Sequence, residues 1–257
     1  MNEFYRLKSF VEYQWKAKTK YYLHSPFVYQ FYQQILEGEY PEQLEGLRTL
    51  RRSLSDSDEE IAVIDFGTKT SSLRKVADIE RKVAVKEKYG LLLYRLASYF
   101  KPKTMLELGT SIGISSAYLK LARPDAMLVS LEGAPNLLTI ASRNHSQLGV
   151  KNIEFIEGNF EETLPRFIEK TQQLDLVLFD GNHTQPATQS YFEQCLSRHH
   201  ELSVFIFDDI HYSPEMNAAW ESIKQHEDIR LTVDVFQFGI CFFKKEKIAK
   251  EHFVLRY

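Results

Sequence analysis

A chain of 257 residues, 44% apolar and 26% charged, is long enough for one large α/β domain plus an accessory segment. Its net charge of −3 and pI of 6.3 give no global positive field to recruit nucleic acid or an anionic membrane, so neither is expected as a general partner. The two cysteines, Cys195 and Cys241, sit inside apolar runs, which argues against a disulfide framework or a thiolate metal site. They fit a reducing, cytoplasmic setting, as do the absence of a hydrophobic signal core and of any apolar run near the roughly 18 residues of a membrane span.

The first forty residues are crowded with aromatics, among them Phe4, Tyr5, Phe10, Tyr13, Trp15, Tyr21, Tyr22, Phe27, Tyr29, Phe31 and Tyr32. Ser25 and Pro26 can start a helix that Gly38 ends. Arg6, Lys8, Lys16, Lys18 and Lys20 make the segment locally basic, and the expectation is of helices docked by their aromatics onto the main body. Three roles stay open for residues 1–85: a lid, a homodimer contact, or plain packing.

Arg51 to Glu60 is polar, rich in Ser and Asp and without periodicity, and reads as a connection with a boundary nearby. Ile61-Ala62-Val63-Ile64-Asp65-Phe66-Gly67 reads as a short strand and turn. Its Asp-Phe-Gly carries no weight as a kinase triplet, because nothing else of a kinase is present. Leu92, Leu93, Leu96 and Phe100 recur at helical spacing, and Pro102 closes that element. From there strands are expected at 104–108, 126–131, 153–157, 175–180 and 203–208 with helices between them, the pattern of a parallel sheet with crossover helices. Residues 230–237 and 239–244 then read as a closing hairpin-like pair around Gly239.

The run Met105-Leu106-Glu107-Leu108-Gly109-Thr110-Ser111-Ile112-Gly113 is a buried strand entering a glycine turn that opens a helix. Backbone N–H groups at such a turn attract anions, yet Glu107 sets a negative charge at its mouth, and the three-glycine dinucleotide fingerprint is incomplete. An acid there suits a ligand carrying an ammonium and a sulfonium better than a pyrophosphate. In an open α/β sheet ligands lie beyond the carboxyl ends of the strands, and here those ends are mostly acids: Glu107, Glu132, Asp180 and Asp208, with Asn159 after the third strand. Glu132, in Leu131-Glu132-Gly133, is placed to accept from two ribose hydroxyls, or to cap a helix. Asn159, beside Phe160, is placed to meet an adenine edge, or to serve as a turn residue.

With these residues assembled, the chain resembles the class I S-adenosylmethionine-dependent methyltransferases over roughly residues 86–257. The likeness rests on Glu107 to Gly113, on Glu132 one βα unit later, on Gly158-Asn159 and on the terminal antiparallel pair. It implies a Rossmann-like α/β fold: a seven-stranded, mostly parallel sheet with an antiparallel C-terminal strand, flanked by helices, preceded by the helical extension 1–85. By resemblance, Gly109, Thr110, Ser111 and Gly113 cradle the methionine part of S-adenosylmethionine and Glu107 organises the loop. Glu132 and Gly133 take the ribose, Asn159 and Phe160 the adenine, and Asp180 also reaches the cofactor.

Leu176-Val177-Leu178-Phe179-Asp180 and Val204-Phe205-Ile206-Phe207-Asp208-Asp209 are apolar strands that each deliver an acid followed three residues later by a histidine, His183 or His211. This layout resembles the metal-dependent O-methyltransferases of the catechol type. The resemblance makes Asp180, Asp208 and Asp209 ligands of a divalent ion, Mg²⁺ by preference, and His183 the general base beside Asp180, acting on a small hydroxylated acceptor. Those enzymes usually carry Asp-Asn after the fifth strand and a lysine as base, where this chain has Asp-Asp and a histidine. Three carboxylates facing one crevice repel unless a cation or proton intervenes. Two other readings stay open on the residues alone: a metal-dependent hydrolase using the Asp and His cluster, and a non-catalytic binding protein that keeps the cofactor fold.

Overall fold

The computed structural model describes residues 2–65, 70–244 and 249–257. Packing divides the chain into two compact units, Gly38–Phe167, and Met1–Glu37 with Ile168–Tyr257. The central sheet is mixed, mostly parallel and flanked by helices, as expected, with eight strands among the described residues in place of seven.

The chain opens with α1 (Asn2–Lys16) and α2 (Pro26–Phe31), which belong with the C-terminal residues. Pro26 starts α2 as the sequence indicates, although Ser25 makes no side-chain cap, and a wider turn over Tyr32–Leu36 ends the helical stretch before Gly38. The aromatics do dock: the Tyr13 hydroxyl donates to the Leu255 carbonyl at 2.6 Å, Tyr32 donates to the Arg256 carbonyl at 3.0 Å, and Phe27 and Phe31 meet Phe242 edge-on. Phe4, Leu7, Val11, Trp15, Tyr21 and Tyr22 stay exposed.

In the unit Gly38–Phe167, α3 (Glu45–Ser55) replaces the first half of the connection expected at 51–60. Leu47, Leu50 and Leu54 recur on one face and are buried, so the apolar stripe overrides the polar composition. β1 (Glu60–Asp65) pairs antiparallel with β2 (Thr70–Lys75), a partner the sequence reading did not identify; Phe66 and Gly67 of the expected turn lie outside the described residues. After α4 (Val76–Lys82), α5 (Glu87–Phe100) ends at Lys101 in a left-handed conformation, one residue ahead of Pro102. β3 (Thr104–Leu108), β4 (Met127–Glu132) and β5 (Ile153–Glu157) follow within a residue of expectation, with α6 (Ile114–Ala122) and α7 (Pro135–Gln147) between them and β3 and β5 both parallel to β4.

After α8 (Phe160–Lys170), the other unit carries β6 (Leu176–Phe179), α9 (Gln185–Leu196), β7 (Val204–Asp208) and α10 (Pro214–Gln225). β6 and β7 are parallel and buried on both faces, which is why they read as unbroken apolar runs, and Phe179 stacks on Phe207 with ring centroids 4.4 Å apart. The closing pair is β8 (Leu231–Asp234) and β9 (Phe238–Phe242), where β9 alone runs antiparallel, to β7 and to β8. The eighth strand, β10 (Glu251–Val254), lies parallel beside β8, so the antiparallel strand is not the last. Four residues are too few to show a period in the sequence.

Candidate functional site

The glycine turn after β3 bends through three left-handed positions, Gly109 (φ 103°), Ser111 (φ 48°) and Gly113 (φ 79°). Gly113 is obligatory on two counts: its conformation disfavours other residues, and a Cβ there would lie 2.9 Å from that of Ala141. Thr110 points inward, its hydroxyl 2.6 Å from that of Ser130, and so fastens the turn to β4. Gly109 N–H donates to the Leu131 carbonyl at 2.9 Å and does the same.

Glu107 lies within β3, fully buried beneath the turn rather than at its mouth. Burial pushes its carboxyl up to about 7, and the Glu132 charge adds to the rise against the hydroxyls of Ser115, Ser130 and Ser116. Near neutral pH it is therefore no longer a full charge, a difference from the sequence reading. Ser130 donates to its Oε2, while Oε1 finds no well-directed donor among the described residues. Glu132 is the acid that faces the turn: its Oε2 accepts the Ser111 N–H at 2.8 Å and its Oε1 the Ala134 N–H at 2.9 Å.

Two residues that the sequence did not single out hold this turn from below. Asn144 of α7 donates from Nδ2 to the Ile112 carbonyl at 2.8 Å, and His145 Nε2 lies 2.9 Å from the Gly113 carbonyl and 3.0 Å from Ser116 Oγ. A carbonyl only accepts, so the proton is on Nε2. Burial pulls His145 down to about 4, keeping the ring neutral. Asn159 turns instead onto its own helix, Oδ1 accepting the Glu161 N–H at 3.2 Å and the main-chain oxygen the Thr163 N–H at 2.9 Å. Gly133 is buried behind Glu132, and Phe160 opens α8 half-buried.

The fit of this unit to the expected cofactor rests on its unsatisfied atoms. Ser111 Oγ is buried and lacks a hydrogen-bond partner among the described residues, while Glu107 Oε1, beside the Ser115 and Ser116 hydroxyls, has no well-directed one, and such atoms can take a donor from elsewhere. An ammonium supplies donors, so the residues present fit S-adenosylmethionine.

In the other unit the strand ends bring Asp180, His183, Asp208 and Asp209 together. His183 Nε2 is 3.7 Å from Asp180 Oδ1, on a loop that turns through a left-handed Asn182. Asp208 is buried at the end of β7. Burial and the Asp209 charge push its carboxyl up to about 6, opposed by His183 and by hydrogen bonding with Asp180 and Gln237. Gln237, in the turn between β8 and β9, donates from Nε2 to Asp208 Oδ1 at 2.6 Å and to Asp209 Oδ1 at 2.7 Å. Its own Oε1 accepts from Arg6 Nη2 at 3.0 Å, and that guanidinium nitrogen is 3.8 Å from Asp209. His211 is drawn away from the acids and pairs with Asp234 at 2.8 Å.

Asp180, Asp208 and Asp209 are an all-oxygen donor set, but they do not fit a divalent ion as they stand. One oxygen each of Asp208 and Asp209, Oδ1, is taken by the Gln237 amide, and among the described residues no group of three or more His, Cys, Asp or Glu is disposed to hold a metal. Nor is any described helix long and apolar enough to cross a membrane.

Comparison with known proteins agrees with the layout. Residues 106–210 match the family model of a methyltransferase domain. Catechol O-methyltransferase B of Danio rerio is 32% identical over 111 residues, covering 41% of this chain and 42% of that protein. Catechol O-methyltransferase of Niastella koreensis is 25% identical over 131 residues, covering 50% and 58%. The chain thus spans about half the length of these relatives. The O-methyltransferase from Bacillus cereus, solved in complex with SAH, superposes with a TM-score of 0.57 at 17% identity over 85% of this chain and 97% of that one, a likeness of fold. The chain thus has a Rossmann-like fold like that of this solved O-methyltransferase, and its residues 106–210 are similar to a methyltransferase domain.

Proposed function

We propose that the protein transfers a methyl group from S-adenosylmethionine to a hydroxyl of a small-molecule acceptor, with His183 as general base. The observation that carries this reading is the His183 imidazole 3.7 Å from the Asp180 carboxylate at the end of β6. The cofactor, when bound, supplies an electrophilic methyl on sulfur. Glu107, Ser111 and Glu132 would hold it, Glu107 and Ser111 through their unsatisfied oxygens and Glu132 by keeping the turn in shape.

His183 takes the acceptor's hydroxyl proton as oxygen gains the methyl, and the bonding pair leaves with sulfur. Asp180, 3.7 Å away, stabilises the imidazolium so formed through its charge. Imidazole suits this task because it is largely neutral at pH 7 and becomes cationic readily. Tyr212 lies beside the base, its ring 6.4 Å from that of His183. No step is assigned to a divalent ion, since the acids do not fit one as arranged.

The catechol O-methyltransferase relatives recommend a catechol as first acceptor. In an assay with S-adenosylmethionine and catechol, His183→Ala is expected to lose roughly 10²- to 10⁴-fold in kcat while its calorimetric affinity for S-adenosylhomocysteine is unchanged. Turnover by His183→Ala at the wild-type rate removes the base assignment. Failure of the wild type to bind S-adenosylhomocysteine removes the methyltransferase reading.

A further inference from the structure

The Asp208–Asp209 pair is closed by side chains of the chain itself. Both hydrogens of the Gln237 amide are spent on it, one on each Oδ1, and the amide oxygen is spent on Arg6. This fixes the amide's orientation, because only the nitrogen can donate to two carboxylates. Gln237 is in turn held by its turn: Phe236 N–H donates to Asp234 Oδ1 at 2.8 Å, and Asp234 Oδ2 is the atom paired with His211. The Phe236 ring stacks on His211 and is met by Phe10 and Tyr13 of α1. α1 therefore delivers Arg6 and at the same time packs the turn that delivers Gln237.

We propose that Gln237 and Arg6 stand where related enzymes place a divalent ion: Gln237 is a positioning residue that ties Asp208 to Asp209, and the pair takes up no metal. A cation that takes the two Oδ1 atoms has to displace both N–H groups of the Gln237 amide from them. It also meets the Arg6 guanidinium, a like charge, 3.8 Å from Asp209. The second acid of the Asp-Asp sequence, where catechol-type enzymes usually carry an amide, is thus matched by a cation from α1 and an amide from the β8–β9 turn. For methyl transfer, this rests on the function proposed above; the consequence is an acceptor site ordered by hydrogen bonds and a reaction that does not need an ion.

The test is a Mn²⁺ titration of chelator-treated full-length protein, followed by the paramagnetic resonance of free Mn²⁺, with no methyl donor or acceptor present. Wild type is expected to show no saturable binding below about 1 mM. Gln237→Glu, which exchanges two donors for a carboxylate oxygen, is expected to bind Mn²⁺ roughly 10- to 100-fold more tightly and to gain Mn²⁺-dependent melting temperature. Saturable micromolar binding by wild type overturns the proposal, and so does folded Gln237→Glu that binds no more tightly than wild type. If that variant does not fold, the wild-type titration decides alone. S-adenosylhomocysteine calorimetry on the same wild-type preparation reports separately on the methyltransferase reading.

Discussion

Glu132 Oε2 accepts the backbone N–H of Ser111 at 2.8 Å, so the acid at the end of β4 is a strut for the glycine turn after β3. Ser111 sits at φ 48°, a conformation that a non-glycine residue adopts at a cost, and a charged acceptor on its N–H offsets that cost. The same carboxylate holds the Ala134 N–H, which starts the chain into α7. Glu132→Ala removes both bonds, each worth about 1.5–3 kcal/mol when the acceptor is charged. We expect a lower melting temperature and at least a roughly tenfold weaker S-adenosylhomocysteine affinity, whereas Glu132→Gln, which retains one acceptor oxygen, should fall between the two. Thermal melts and calorimetry on the three proteins decide it.

The buried Glu107 makes stability depend on pH in a direction opposite to that of a salt-bridged acid. Its folded-state carboxyl is raised from 4.5 to about 7, so between those values the folded chain holds a proton that the unfolded chain has released. Stability from this group is full below pH 4.5, declines as pH rises and is lost above 7, by about 3 kcal/mol in all. Glu107→Gln keeps the shape and cannot ionise. The variant should therefore gain on wild type as pH goes from 5 to 8, as read from denaturant midpoints; parallel curves for the two proteins contradict the assignment.

How much of this was legible in the sequence depended on whether partners lay close along the chain. β3 to β7 were readable because each is an apolar run bounded by turn residues, and their terminal acids follow from the register of the runs. Gln237 and Arg6 were not readable, since their bond joins residues 231 positions apart and neither belongs to a motif. Asn144 and His145 lie on a helix face that, read alone, is ordinary polar composition. Asn159 stands out in the sequence by its place after β5, and its side chain caps α8, a local bond available to any asparagine preceding a helix. α3 was obscured by its serines and arginines, although the Leu47, Leu50 and Leu54 stripe was present.

His145 supports the turn through a single N–H, and replacement separates that role from simple packing. Gln is long enough to present an amide N–H toward the Gly113 carbonyl, while Leu fills the space with no donor and leaves that carbonyl with only the Ala117 N–H, at 3.2 Å. If the bond positions the turn, His145→Leu raises KM for S-adenosylmethionine well above that of His145→Gln, with kcat changed little in both. Equal KM values in two folded variants would show that the ring serves only as filling.

Gly90 offers a case where two effects of known size oppose each other. It lies inside α5, and Gly→Ala in a helix interior ordinarily stabilises by about 0.8–1.0 kcal/mol. Here a Cβ would stand 2.0–2.5 Å from atoms of the Tyr118 ring on α6, which is itself buried and cannot tilt freely. Tyr118 also accepts from Arg51 at 3.3 Å, and Arg51 pairs with the buried Glu80 at 2.7 Å, so displacing the ring disturbs an ion pair that is costly to break. Overpacking of this kind costs about 1–3 kcal/mol, more than the helix gains, and Gly90→Ala is therefore expected to be destabilising. Tyr118→Leu alone loses ring packing and the Arg51 contact, but in that background the obstruction is gone. Gly90→Ala should then change sign and stabilise by close to the ordinary helix value, a reversal that a double-mutant cycle on melting free energies reads directly.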